Sequence, residues 1–192
     1  DHDHKDEKDH DHDHHGVDPH YWLDPANAQI MANEILYTMI ELLPEFEMQL
    51  RNNAAPLLRD LEELDRVLAE RTAKLAQRRI VTGGHFAFGY FTEKYDLEAI
   101  SPFENLSPDA EPSPQKLAEI VDYVRDHEVK VIFHEELLDP KIAQMIATET
   151  GAKMLQLHAA HNVSKEELQH GVTYVQIMIQ NMKNLEEGLG VK

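Results

Sequence analysis

Histidine is the residue type most able to do chemistry in this sequence. Seven of the thirteen histidines lie within the first twenty residues. Neutral imidazole is a good ligand for zinc, copper and nickel, and the opening residues alternate it with Asp, Glu and Lys. Such a segment buries too little apolar surface to fold, so residues 1–15 are predicted to be a disordered loop that collects divalent metal ions. The histidines of this region are His2, His4, His10, His12, His14, His15 and His20.

A solvated low-complexity tail and an engineered purification tag are the alternative interpretations of residues 1–15. Tags are usually uninterrupted runs of histidine, whereas this segment is mixed with charged residues and leads directly into folded-looking sequence. We therefore favour a natural metal-collecting loop. Because the sequence opens on this loop, we expect a fragment whose natural beginning has been removed.

The composition favours a globular protein that attracts cations. The 192 residues are 42% hydrophobic, which suits one sizeable domain or two small ones. The net charge of −18 argues against nucleic acids and anionic membranes as partners, since both require clustered Lys and Arg. Without cysteine, any metal must be held by His, Asp or Glu. No secretory signal and no apolar run of transmembrane length is found, so we expect the chain as given to be soluble.

Two helices are predicted in the first part of the chain. Asp24 and Pro25 form an N-cap and a first turn, apolar residues follow at helical spacing, and Pro44 ends this helix. A second, amphipathic pattern runs from Phe46 for roughly thirty residues, longer than an average helix. Pro56 inside it should kink the helix or mark a restart. A coiled-coil partner would explain the length, but the apolar positions drift from a heptad, which favours a packed strut within the molecule.

After Arg79, strands alternate with helices, a pattern that predicts an α/β fold in which helices flank both faces of a parallel sheet. The proline-rich stretch 101–114 is predicted to be a loop. Ser164 and Glu167 form a capping box at the start of the last helix. The predicted strands are 80–82, 98–100, 130–133 and 153–157, and the predicted helices are 85–95, 113–127, 139–150 and 164–189.

The polar residues that follow these strands define a candidate site, because ligands of parallel sheets bind beyond the carboxyl ends of the strands. Histidines from separate loops at one rim can hold a single ion without being close in sequence. His127 and His170 lie on predicted helices and are expected at the surface. The candidates that follow strands are His85, Glu135, Glu136, His158 and His161.

Three ordered motifs resemble the ZnuA-like zinc- and manganese-binding solute-binding proteins of bacterial ABC importers. They are Asp-Pro-His-Tyr-Trp-Leu-Asp-Pro at 18–25, Gly-His-Phe-Ala-Phe-Gly-Tyr-Phe at 84–91, and Leu-Ser-Pro-Asp-Ala-Glu-Pro-Ser at 106–113. Segments 149–153 and 182–189 are similar too, so the resemblance covers nearly the whole chain. It implies two α/β lobes joined by one long rigid helix, with the metal buried between the lobes.

The resemblance divides the chain into four parts. After the loop at 1–15, residues 16–45 finish the amino-terminal lobe, 46–78 form the connecting helix, and 79–192 make the carboxy-terminal α/β lobe. The strands of the first lobe are missing from this sequence. Residues 16–45 are therefore expected to expose an apolar face that the missing strands would normally bury. We expect either dimerisation through that face or disorder there.

The same resemblance implies which residues bind the metal. The first histidine ligand of the family lies in the missing part, and the second and third match His20 and His85. The fourth ligand is usually Asp or Glu in the loop before the final helix, where this sequence has His161. That departure leaves His158 or a carboxylate as alternatives for the fourth position. Glu135 and Glu136 are assigned to hydrogen bonds or salt bridges at the rim.

We therefore predict a protein, not an enzyme, that captures zinc with high affinity and delivers it to the permease of an ABC importer. The resemblance implies that it works in the periplasm or anchored to the outside of a membrane. His20, His85 and His161 are the predicted ligands, and imidazole favours Zn²⁺ over Mn²⁺, which prefers oxygen. A metal-buffering or adhesion module is the main alternative function. A zinc hydrolase using a glutamate base is another, although no His-Glu-x-x-His motif is present.

Overall fold

The computed structural model describes residues 18–84, 86–103, 112–137 and 139–192. The predicted metal-collecting loop at 1–15 and the predicted ligand His85 lie outside the described residues, as does most of the predicted loop at 101–114. No helix within the described ranges is long and apolar enough to cross a membrane. The elements are α1 (Pro25–Leu42), α2 (Glu47–Thr72), β1 (Arg79–Val81), α3 (Gly89–Lys94), β2 (Glu98–Ile100), α4 (Pro114–Asp126), β3 (Val131–His134), α5 (Lys141–Thr150), β4 (Lys153–Gln156), α6 (Lys165–Gln169) and α7 (Tyr174–Leu189).

Helices α1 and α2 form a hairpin at the start of the described chain. The Asp24 side chain caps α1 by accepting a hydrogen bond from the backbone amide of Ala26 at 2.8 Å, as the Asp-Pro pair predicts. Helix α2 continues through Pro56, so the predicted restart is wrong. Pro56 and Asn52 are both exposed, and water can therefore hydrogen-bond the Asn52 carbonyl that loses its helical partner.

The four strands are short and parallel, which confirms the predicted α/β fold. Strand β1 pairs with β2, and β3 pairs with β4. A parallel bridge between Thr82 and Phe133 joins the two pairs, so the strand order is β2-β1-β3-β4. The amide of Gly83 donates to the Phe133 carbonyl at 3.0 Å and extends this junction. Because the strands are parallel, their carboxyl ends lie at one edge of the sheet.

Helices cover both faces of the sheet, because alternate strand residues enter two separate apolar clusters. Ile80 and Phe133 face the cluster built with α2 and α7. Val81 and Ile132 face the cluster built with α4 and α5. The first cluster includes Leu64, Leu68, Leu75, Phe91, Met178, Met182 and Leu185, and the second includes Ile120, Val124, Ala143, Ile146 and Ala147.

Gly83, directly after the Thr82 bridge, lets helix α5 approach the sheet very closely. A Cβ atom at Gly83 would lie 2.3 Å from the Ala143 Cα and 2.5 Å from the Ala143 backbone nitrogen. Both distances are far inside van der Waals contact, and neither atom can rotate away. A glycine is therefore required where the chain leaves the first strand and turns toward the candidate site.

The last predicted helix, 164–189, is wrong in one respect, because the structure divides it into α6 and α7. Gly171 adopts a positive φ of 64° and turns the chain out of the helix. Thr173 then starts α7 through a capping box with Gln176. The predicted capping box of Ser164 and Glu167 is present at the start of α6.

The helix predicted to open at residue 85 begins later, at Gly89. Ala87 and Phe88 are buried in the first apolar cluster, with at most 3% of either residue exposed. Residues 86–88 pack against the core without forming a helix, and α3 continues into the same cluster through Phe91.

Candidate metal centre

The structure brings together two of the predicted ligands, His20 and His161, from opposite ends of the described chain. Their ring centroids are 4.9 Å apart and the rings meet edge to face at 75°. His20 immediately precedes the 3-10 turn Tyr21–Leu23, and His161 lies in the loop between β4 and α6. His20 is only 4% exposed, whereas the His161 side chain is 36% exposed. Two imidazoles this close can share one metal ion, with the opening to solvent on the His161 side.

The orientation of the His20 ring is set by Asp18. The ring Nδ1 donates to Asp18 Oδ1 at 2.5 Å, and the His20 backbone amide donates to the same oxygen at 2.9 Å. An ionised carboxylate only accepts, so the proton of neutral His20 lies on Nδ1 and the lone pair lies on Nε2. Carboxylate partners of this kind fix the ring of a metal-binding histidine. We did not predict this role, although an Asp two residues before a candidate histidine is a usable signal.

Two neighbours from helix α3 hold Asp18 in place. The Tyr90 hydroxyl donates to the Asp18 carbonyl at 3.2 Å. A Cβ atom on Gly89 would lie 2.5 Å from Asp18 Oδ2, so glycine at this position leaves room for the carboxylate. The motifs at 18–25 and 84–91 therefore meet in space.

The segment that carries His20 is also tied directly to the loop that carries His161. The Trp22 indole nitrogen donates to the Ala159 carbonyl at 3.0 Å, and the Tyr174 hydroxyl donates to the Trp22 carbonyl at 2.7 Å. Leu23 is completely buried beside them. Burial raises the pKa of the Tyr174 hydroxyl above its usual range and keeps it a donor. The two histidines are thus positioned by contacts that need no metal.

A second polar cluster fixes the start of helix α1 just after His20. Lys94 Nζ lies 2.7 Å from Asp24 Oδ1 and 2.9 Å from Asp65 Oδ1, and the Tyr95 hydroxyl donates to Asp65 at 2.7 Å. Burial alone lowers the pKa of Lys94, but its hydrogen bonds to the two carboxylates raise it further than burial lowers it. Lys94 therefore remains charged and links α1, α2 and α3.

His158, the alternative to His161, presents no ring lone pair to a metal ion. Its Nδ1 accepts a hydrogen bond from the Ala160 amide at 2.9 Å, so the neutral ring carries its proton on Nε2. That Nε2 atom lies 3.7 Å from Glu167 Oε1. The backbone of His158 is held by Asn181, which accepts from its amide and donates to its carbonyl, both at 2.8 Å. With neither ring nitrogen offering a lone pair, His158 fits a structural role better than a ligand role.

Two buried glutamates follow strand β3 at the same rim. Glu135 is 6% exposed and Glu136 is 5% exposed. Within the described ranges, they form with His161 a group whose potential ligand atoms all lie within 4.8 Å of one another. Glu136 accepts hydrogen bonds from two backbone amides, which agrees with the rim role expected for it. Glu135 remains a candidate for the carboxylate alternative at the fourth position. Two carboxylates at this rim favour the approach of a cation.

The two histidines expected at the surface are exposed. His127 stacks on Tyr123 with ring centroids 4.0 Å apart and directs its Nδ1 to the Tyr123 carbonyl. His170 follows α6 directly and directs its Nδ1 to the Glu166 carbonyl at 2.6 Å. Neither is part of the candidate centre, and each provides a histidine control for experiments on it.

Comparison with known sequences points to proteins that handle zinc. The chain matches the family model described as zinc-uptake complex component A, periplasmic, over residues 1–188. It is 38% identical over 178 residues to the high-affinity zinc uptake system protein ZnuA of Bacillus subtilis strain 168, an alignment that covers 93% of this chain. The same alignment covers 55% of that protein, so the chain spans about half the length of this relative.

Comparison with solved structures gives the same result for the fold. The metal-dependent lipoprotein YcdH of Bacillus subtilis superposes with a TM-score of 0.79 at 35% identity, covering 93% of this chain and 66% of that one. The Zn(II)-bound ZnuA-like domain of Streptococcus pneumoniae AdcA superposes with a TM-score of 0.76 at 31% identity, covering 90% of this chain and 64% of that one. The arrangement of short parallel strands and flanking helices is thus shared with proteins that bind metal ions.

Proposed function

The chain belongs to the zinc-uptake complex component A family, and from this premise we propose that it captures Zn²⁺ with high affinity and delivers it to the permease of an ABC importer. The observation that carries the proposal is the contact between His20 and His161, whose ring centroids are 4.9 Å apart. The family match and the Zn(II)-bound relative support zinc as the ion. The function is capture and release rather than catalysis.

We place His20 and His161 in the ligand set and assign His85, which lies outside the described residues, as a third imidazole. His20 offers Nε2 because Asp18 holds its Nδ1 proton. His161 is preferred over His158 because the Nδ1 of His158 is already an acceptor for the Ala160 amide. A set rich in imidazole suits zinc, whereas manganese prefers oxygen ligands, so Mn²⁺ is the weaker candidate.

The proposed place of action is outside the cytoplasm, either in the periplasm or anchored to a membrane. The matching family is described as periplasmic, and the superposed Bacillus subtilis protein is described as a lipoprotein. There the loaded protein would dock on the importer permease. The acidic character of the chain, with a net charge of −18, is compatible with attracting the cation before capture.

Deleting residues 1–15 tests whether the ordered site or the histidine-rich loop binds zinc tightly. We expect the high-affinity phase to persist and only weaker, additional equivalents of zinc to disappear, because the proposed ligands His20, His85 and His161 all lie outside residues 1–15. Isothermal titration calorimetry with a competing chelator measures both phases. Loss of the high-affinity phase in the truncated chain would instead support the metal-buffering function.

Dimerisation through the apolar face of residues 16–45 stays a prediction for this chain, and sedimentation velocity tests it. Exposed apolar side chains continue from α1 into the start of α2. This face exposes a set of large apolar side chains, and such patches usually mark interaction surfaces. We expect concentration-dependent dimers of the 192-residue chain, weakened about tenfold or more by Ile35→Glu. Leu168→Glu, at an exposed leucine of helix α6, is the matched control. A chain that stays monomeric at high concentration contradicts the prediction. The exposed residues are Ile30, Met31, Ile35, Tyr37, Met39, Leu42, Leu43, Phe46, Met48 and Leu57.

A further inference from the structure

We propose that Glu136 is a positioning residue for His161. Its buried carboxylate holds the loop at 159–161 in the conformation that presents the His161 imidazole to His20. The inference rests on the proposed function, because it assumes that His161 binds zinc. It goes beyond that function because it assigns control of the His161 conformation to Glu136, which follows a different strand.

The first support is a pair of hydrogen bonds from the loop to one carboxylate. Glu136 Oε2 accepts from the Ala159 amide at 2.7 Å, and Glu136 Oε1 accepts from the His161 amide at 3.3 Å. The glutamate is 5% exposed, so water competes little for its oxygens. Hydrogen bonds to an ionised acceptor are stronger than neutral ones, and low local polarity strengthens them further. The backbone on both sides of Ala160 is therefore fixed by one side chain.

The second support is the strained backbone between those two amides. Ala160 has a positive φ of 55°, a region that alanine avoids because its Cβ approaches the backbone carbonyl. Its amide donates to His158 Nδ1 at 2.9 Å, so three successive amides end on two buried side chains. A strained residue persists only when its surroundings hold it, and such residues cluster at functional sites. Here the strain lies directly before His161.

The third support is the placement of the His161 ring itself. Glu136 Oε1 lies 3.7 Å from His161 Nδ1, which puts the carboxylate on the Nδ1 side of the ring. Trp22 meets the same ring edge to face, with centroids 5.6 Å apart. At 3.7 Å this contact is electrostatic and not a hydrogen bond, and a negative charge on this side favours the tautomer with the proton on Nδ1 and the lone pair on Nε2. Asp18 fixes the His20 ring more tightly, through a hydrogen bond of 2.5 Å, so each described histidine of the proposed site lies beside a carboxylate.

A double-mutant cycle in the 192-residue chain tests this role. The variants are Glu136→Ala, His161→Ala and the double variant, and the measurement is the zinc dissociation constant from chelator competition. Outer-shell partners of metal ligands typically change affinity by about 10–100-fold, and we expect a loss in this range for Glu136→Ala alone. In the His161→Ala background the same substitution should cause no further loss, because the ligand it positions is gone.

Two further variants separate positioning from simple stabilisation of the fold. Glu136→Gln keeps one acceptor oxygen for the loop amides, so its zinc affinity should lie between those of the native chain and Glu136→Ala. If Glu136→Ala does not fold, Glu136→Gln replaces it throughout the double-mutant cycle. Ile146→Val, buried in the α5 cluster, should lower the thermal midpoint without zinc but leave zinc affinity unchanged.

The outcomes distinguish this inference from the proposed function. An equal loss of affinity from Glu136→Ala in both backgrounds would show a merely structural role and overturn the inference. No loss from Glu136→Ala, together with a large loss from His161→Ala, would also overturn it while leaving zinc capture intact. If His161→Ala itself leaves zinc affinity unchanged, the assignment of that ligand fails, and the positioning role fails with it.

Discussion

Replacing His20 or His161 with alanine is expected to weaken zinc binding by about 100–1000-fold. A protein zinc site with four ligands supplies about 10–16 kcal/mol, so one ligand accounts for about 2.5–4 kcal/mol. The two rings lie 4.9 Å apart and belong to one proposed centre, so their effects should not be additive. Chelator competition at constant pH measures the dissociation constants of the two single variants and the double variant.

Two exposed histidines serve as matched controls for this prediction. His127→Ala and His170→Ala remove imidazoles of the same kind from helix ends away from the centre, and both should leave zinc affinity unchanged. Equal affinities for all four single variants would contradict the assignment. The same result would also follow if residues 1–15 supplied the tight site, and the deletion of that loop identifies this case.

The second large effect is expected for Gly83→Ala, which should destabilise the fold by about 3 kcal/mol. The new methyl group would lie 2.3 Å from the Ala143 Cα, and relief requires helix α5 to move away from the sheet. For a chain of this length, such a loss lowers the thermal midpoint by about 6–12 °C. Differential scanning calorimetry without zinc measures it.

The neighbouring glycine is the control for that substitution. A Cβ at Gly84 would have no heavy atom within 4 Å, so Gly84→Ala should be neutral or raise the stability slightly by restricting the unfolded chain. A thermal midpoint for Gly83→Ala equal to that of Gly84→Ala would show that α5 does not pack closely against the chain at residue 83. The close contact described between the sheet and α5 would then be incorrect.

The predictions for the fold succeeded where burial repeats in a regular pattern. Short apolar runs between turns located all four strands, and the Asp24-Pro25 pair located the start of α1. The break at Gly171 was missed because apolar residues continue across it at helical spacing, from Leu168 to Val172 and Val175. A single glycine is a weak signal inside such a pattern, and the capping box at Thr173 was the stronger one that went unused.

The closeness of His20 and His161 could be predicted, but the contacts that hold them could not. Parallel strands bring their carboxyl ends to one edge, which placed His161 correctly at the rim. Only the family resemblance implied that His20 lies near His161, because no local signal in the sequence requires residue 20 to lie near the loop that follows β4. The bond from Trp22 to the Ala159 carbonyl and the positive φ of Ala160 depend on tertiary contacts and carry no local sequence signal.

Anomalous diffraction at the zinc edge, from crystals of the zinc-loaded chain, shows whether His20 and His161 share one ion. We expect one strong peak about 2.0–2.1 Å from an imidazole nitrogen of both His20 and His161. The ring nitrogen of His20 facing the ion should be Nε2, with Nδ1 still bonded to Asp18. A fully occupied zinc that contacts neither histidine, or only histidines of residues 1–15, would show that His20 and His161 do not form the zinc site.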